Sequence, residues 1–232
     1  PGGTADGLAR ALADGLSRPD APVVVENRPG AGSRLAINHL MHTPADGQTL
    51  MVAAADSFVI YPHVFNRLGY GLADVVPVAS LAAEPIGLVI GPLVPSAVTT
   101  LSQFTQWCRA NVKQASFTSA AAGTTMHLLG TQYARAEQLD LPHVPHRGGA
   151  AAVLDVVGGQ IACVLTYMSQ AQPFLADGRL RALAIASLTR NARLPGVPTF
   201  GEQGHPDILG QIYYGGFLRA GSPSAALRDW SE

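Results

Sequence analysis

Phe117-Thr118-Ser119-Ala120-Ala121-Ala122-Gly123-Thr124-Thr125-Met126-His127-Leu128-Leu129-Gly130 runs from apolar residues through small hydroxyl and glycine residues into a helical pattern. The order is strand, tight loop, helix N-terminus. Backbone N–H groups at such a terminus have no intrahelical partner, and the helix dipole adds partial positive charge. Small side chains let an anion approach, and Ser119, Thr124 and Thr125 add hydroxyl donors. A bound carboxylate or other small anion is the functional reading. An ordinary helix start with Thr as its N-cap accounts for the same residues without a ligand.

The same grammar recurs on both sides. Pro1-Gly2-Gly3-Thr4-Ala5-Asp6 precedes a helical face of Leu8, Leu12 and Leu16, with Thr4 or Asp6 as possible caps. Val23-Val24-Val25-Glu26 reads as a short β-branched strand, Asn27 to Ser33 as a turn cluster, and 35–41 as a helix. A strand over 50–54 leads into a small loop, Ala55-Asp56-Ser57, before Phe58. Two strands are expected at 75–81 and 86–90, then a helix from Thr99 or Ser102 through Cys108. Beyond the opening stretch come Val144-Pro145-His146-Arg147-Gly148-Gly149, a helix over 150–157 ended by Gly158-Gly159, and a strand over 161–165. A helix over 169–176, strands over 180–186 and 212–218, and a helix opened by Ser222-Pro223 complete the chain. Strands alternating with helices predict open α/β sheets. Ligands of such sheets sit at strand carboxyl ends. The loops at 2–6, 54–58, 118–125 and 146–149 all have that position in the pattern.

Composition narrows the function classes. The 232 residues suffice for one large domain or two small ones, and 47% hydrophobic against 13% charged residues argues for a packed core. A net charge of −1 with no basic stripe argues against nucleic acid as a partner. No apolar run approaches the roughly 18 residues of a membrane span, so direct membrane insertion is not expected. Cys108 and Cys163 form no CxxC, and whether they pair stays open. His39, His42, His63, His143 and His205 show no metal spacing, and His127 reads as a packing histidine. There is no GxSxG elbow, HExxH, Walker loop or dinucleotide fingerprint. Binding without turnover follows, with no catalytic group, metal or cofactor expected.

Several runs together resemble a known family. They are Pro1-Gly2-Gly3 with Asp6, Glu26-Asn27-Arg28-Pro29-Gly30-Ala31-Gly32, Ala45-Asp46-Gly47, and Ser119-Ala120 with Gly123-Thr124 and His127-Leu128. Val144-Pro145-His146-Arg147-Gly148, Gly158-Gly159-Gln160, Leu180-Arg181-Ala182-Leu183-Ala184 and Leu194-Pro195-x-Val197-Pro198-Thr199 continue the match. The chain resembles the Bug-type solute-binding receptors of tripartite tricarboxylate transporters. The resemblance implies a type II periplasmic-binding-protein-like fold, two open α/β lobes around a ligand cleft. Lobe 1 would take residues 1–97 plus 218–232, and lobe 2 residues 98–217. It implies a monomeric periplasmic receptor that closes on a small carboxylate or amino acid and delivers it to membrane permease subunits. The family carries a strand before Pro-Gly-Gly and a long tail after Trp230, so an incomplete first lobe, in a mature or trimmed chain, is expected.

The implied contacts are Gly3, Thr4 and Asp6; Ala55, Asp56, Ser57 and Phe58; Ser119, Ala120, Gly123, Thr124 and Thr125; Arg147 and Gly148; and Thr166 and Tyr167. Asp56 replaces a small residue of the family and would suit an ammonium group, or else cap the next helix. Thr166-Tyr167 stand where relatives carry a strand-end Asp, and His146-Arg147 where many carry Tyr-Lys. Two alternatives remain: an isomerase or lyase on the same fold using Asp56, His146 or Tyr167, and a ligand sensor for a signalling partner.

Overall fold

The leucine face predicted at the N-terminus forms helix α1, Thr4–Leu16, in the computed structural model, which describes residues 2–146 and 148–231. Next come α2 (Arg34–His42), β1 (Met51–Ala54), α3 (Asp56–Val59), α4 (Tyr61–Val64) and β2 (Val75–Ile90). Then follow α5 (Leu101–Ala110), β3 (Phe117–Ser119), α6 (Thr125–Ala136), β4 (His143–Pro145) and α7 (Gly149–Val157). The chain continues through β5 (Cys163–Tyr167), α8 (Met168–Ala176), β6 (Arg181–Ile185), β7 (Gln211–Arg219) and α9 (Ser224–Ser231).

Two compact units result, Pro1–Ala83 with Tyr213–Glu232, and Glu84–Ile212. The chain therefore passes between units at 83/84 and 212/213, rather than at the expected 97/98 and 217/218. The reason lies in β2, whose residues 86–90 pair with β5 and β6 of the second unit.

In the first unit β1 runs antiparallel to β7, with Ala53 opposite Gly215, and β2 lies on the other side of β7. Ile37, Leu40, Met51, Ala53, Phe58, Tyr70, Val75 and Phe217 form its core. In the second unit the strand order is β6-β2-β5-β3-β4, with β3 parallel to both β4 and β5. Val89, Val153, Val156, Val164, Met168 and Ile185 anchor a separate core there. Burying each such aliphatic side chain stabilises by about 1.5–3 kcal/mol, so each unit has its own apolar driving force.

Several expectations are corrected. Val23–Glu26 forms no strand, and Val24 is 85% exposed. β-branching favours extension, but a strand needs a neighbour. The expected loop at 55–57 is helical from Asp56. The two strands expected at 75–81 and 86–90 are one strand of 16 residues. Pro85 lies within it, and pairing with β5 begins at Ile86, so no N–H is required of the proline on that side. Strand β5 runs two residues beyond the expected 165, to Tyr167, and β4 was not foreseen. Helix α5 is capped by Thr100, whose hydroxyl accepts from the Gln103 N–H at 3.2 Å, rather than by Thr99 or Ser102. Cys108 and Cys163 are free, buried thiols.

Candidate functional site

Strands β3, β4 and β5 are parallel, so their carboxyl ends open on one edge of the second unit. Ser119 ends β3 beside Pro145 of β4, and the chain then turns through Gly123 at φ 79° into α6. That left-handed turn suits glycine. The Gly148 N–H donates to Ala120 O at 3.1 Å, and the His146 N–H to Ser119 O at 3.3 Å. These bonds tie the 146–148 turn to the opening loop. At the end of β5, the Thr166 hydroxyl donates to Gln170 Oε1 at 3.3 Å. The Gln170 carboxamide in turn lies on Gly149, where an added Cβ would stand 2.1 Å from Oε1.

The second unit thus gathers Ser119, Ala120, Gly123, Thr124, Thr125, Gly148 and Thr166 at one edge. Tyr167 closes β5 there and is buried. Arg147 lies outside the described residues. Two helices begin at this edge. Thr124 caps α6, its hydroxyl accepting from the His127 N–H at 3.4 Å. Helix α7 has no side-chain cap at all, because Gly148 precedes it at φ 136°. The first N–H groups of a helix have no intrahelical partner, and here no side chain caps them.

A layer of imidazoles, which the sequence reading did not connect, lies behind the loop. Ser119 Oγ and His143 Nε2 are 2.8 Å apart, and His127 Nδ1 accepts from the Gly123 N–H at 3.1 Å. His146 bridges Thr118 Oγ1 at 2.7 Å and Asp155 Oδ2 at 2.5 Å. Burial lowers the proton affinity of His127. Burial, with His127 and His146 nearby, brings His143 down to about 4. This network depends on β4 lying in register beside β3, and a three-residue strand ending in proline gives little signal in sequence. Asp155 was unmarked because nothing in its helical context distinguishes it from a solvated face.

In the first unit the candidates fall at two places. Asp6 Oδ2 accepts from the Gly2 N–H at 2.9 Å, and Oδ1 accepts from Asn27 Nδ2 at 2.7 Å and pairs with Arg10 Nε at 3.0 Å. The Gly2 N–H, then Asn27 and Arg10, hold its carboxyl well below the usual carboxylate range. Asp6 therefore organises the Gly2-Gly3-Thr4 start against the Asn27 turn. At the second place Asp56 is 5% exposed, and Ser57 O accepts from Tyr70 Oη at 3.1 Å. Burial, and next the Asp56 charge, push Tyr61 up to about 12. Phe58 packs on Phe217 with centroids 4.6 Å apart, in the core. It also walls a largely apolar cavity of about 400 Å³ with Ala55, Leu72, Pro77, Tyr213 and Gly215. Among the described residues no cluster of His, Cys, Asp and Glu could hold a metal.

The tripartite tricarboxylate transporter family receptor model matches residues 8–231. The chain belongs to this receptor family. BugT of Bordetella pertussis is 30% identical over 92% of the chain and 66% of its own length, so the chain spans about two thirds of that relative. A solved R. palustris protein with adipate superposes with TM-score 0.92 at 26% identity, covering 99% of this chain and 77% of the other. A second R. palustris protein, MatC with bound malate, gives TM-score 0.85 at 26% identity over 99% of this chain and 78% of its own. The family is one of receptors, which sets the isomerase alternative aside. No helix of the described residues is long and apolar enough to cross a membrane.

Proposed function

We propose that this receptor works in the periplasm, as a monomer, capturing a small dicarboxylate and delivering it to the permease subunits of a tripartite transporter. One observation carries this reading. The loop after β3, the uncapped start of α7 and the end of β5 converge on one edge of the second unit with no carboxylate of their own; the Ser119, Thr124 and Thr166 hydroxyls donate inward, to Ala121 O and Gln170, so the helix-start N–H groups are the donors proposed for the ligand. Backbone donors at helix starts suit a carboxylate and cost nothing in reorganisation. Adipate and malate, bound by the two R. palustris proteins, are acids of that kind. Capture by lobe closure belongs to the same proposal, the ligand favouring the closed state through its differential contacts.

Titration calorimetry against adipate, malate and a panel of amino acids tests the reading. Dicarboxylates should bind, and none of them should be chemically changed on incubation. Conversion of the bound acid, or no binding by any of the panel, would sink it. A second reading has one observation in its favour: Asp56, the first residue of α3, is a buried carboxylate among the candidate contacts. If it faces the ligand, an amino acid's ammonium is its partner. Asp56→Gly would then weaken amino-acid binding selectively and leave dicarboxylates unaffected or improved.

A further inference from the structure

The loop between Ser119 and Thr124 is held from behind by nitrogen lone pairs. Gly123 donates its N–H to His127 Nδ1 at 3.1 Å, so that nitrogen is unprotonated and the ring proton sits on Nε2. The His127 ring lies 4.2 Å from the His143 ring and 6.2 Å from that of Phe117. His143 Nε2 shares a hydrogen with Ser119 Oγ at 2.8 Å. Ala121 O accepts from Thr124 Oγ1 at 2.9 Å and from Ser119 Oγ at 3.1 Å. The Ser119 proton can therefore turn to His143 without leaving that carbonyl unpaired. The loop is thereby bonded at Ser119 and at Gly123 to two neighbouring imidazoles, tilted 36° to each other.

We infer that His127 is the positioning residue of the ligand loop, and that the His127–His143 pair makes it an acid-sensitive latch. Residues 120–124 keep their binding geometry only while His127 Nδ1 is unprotonated. The inference rests on the proposed receptor role for the loop's task, not for the latch itself. Protonation would set an N–H against the Gly123 N–H, two donors with no acceptor between them. It would also place charge within 4.2 Å of a second titratable ring. The groups facing His127 are His143 from β4 and Phe117 from β3. His143 faces His127, Phe117 and Ser119, with His146 close enough to act on it electrostatically. The Asp155 carboxylate binds the outer ring, His146, at 2.5 Å. Burial favours the neutral form of both inner rings, which keeps the latch engaged near neutral pH.

The test uses the full chain and two variants. His127→Asn puts a non-titrating acceptor oxygen near the position of Nδ1. His127→Phe keeps a flat ring in the stack and removes the acceptor. Two readouts are followed from about pH 8 to about pH 4.5, across the histidine range: Gly123 amide exchange without ligand, corrected for intrinsic rates, and adipate affinity by calorimetry. In the wild type, Gly123 protection should fall about fivefold on acidification, the worth of one net hydrogen bond. It should stay flat in His127→Asn and be lost at every pH in His127→Phe. The ratio of adipate affinities, His127→Asn over wild type, should rise about fivefold over the same range, because titration of the acid itself cancels in the ratio. Protection in His127→Phe equal to wild type, or an undiminished pH response in His127→Asn, overturns the latch. If adipate fails to bind while Gly123 behaves as expected, the receptor reading fails and the latch stands. If adipate binds and Gly123 is indifferent to pH and to both variants, the latch fails and the receptor reading stands.

Discussion

At the scale of single residues, Asp6 ties the glycine start of the chain to the Asn27 turn. Both its oxygens are engaged, by Gly2, Asn27 and Arg10. Asp6→Ala should free the Asn27 turn, seen as faster amide exchange around Gly2 and Gly3. The sign of its pH dependence follows from a carboxyl held below its ordinary 3.8. The stabilisation is present above that value and is lost as pH falls toward the lower folded one. The wild type should therefore lose its advantage over Asp6→Ala only in strong acid, in denaturation curves recorded down the pH scale. Phe58 is the complementary case. An aromatic beside a small loop reads equally as ligand wall or as core, and its packing on Tyr70 and Phe217 is a tertiary fact the local sequence does not hold.

At the scale of elements, packing depends on a few places where a side chain is missing. Helix α6 approaches β3 at Gly130, where a Cβ would stand 2.3 Å from the Phe117 ring. Gly130→Ala should cost about 1–3 kcal/mol through overpacking, despite its better helix propensity, and urea midpoints would register it. Thr100→Ala removes the capping box of α5 and should cost about 1 kcal/mol by the same measurement. Much at this scale was legible beforehand. The strand-loop-helix order at 117–130, the leucine face of α1 and the glycine stop of α7 follow from period and punctuation, which are local. Continuity of β2 through Pro85, the missing ladder at Val23–Glu26 and the existence of β4 were not legible. Each depends on which strand lies alongside, and strand partners are set by the rest of the fold.

At the scale of the whole molecule, the loops at 118–125 and 146–149 were legible as glycine- and hydroxyl-rich stretches, but the imidazole layer that holds the first of them was not. It joins β3, the start of α6 and β4 across 28 residues of separation between Thr118 and His146. That layer gives the second unit a pH signature. Unfolded, His143 titrates near its ordinary 6.5; folded, it does so near about 4, so unfolding takes up a proton between those values. Stability should decline as pH falls from about 6.5 and level off below about 4, in thermal scans, with His143→Phe flattening the slope. Adipate at about a hundred times its Kd should raise Tm by about 5–10 °C if the receptor reading holds. The two buried cysteines have a practical consequence of their own. Burial pushes Cys108 up to about 12, and Cys163 well above its ordinary value, so a thiol reagent reacts only after a local opening. Both lie in the second unit, and the first has none. Labelling followed by mass spectrometry is thus a native stopwatch for one half of the molecule, and a ligand that braces the proposed binding edge should slow it with no probe added.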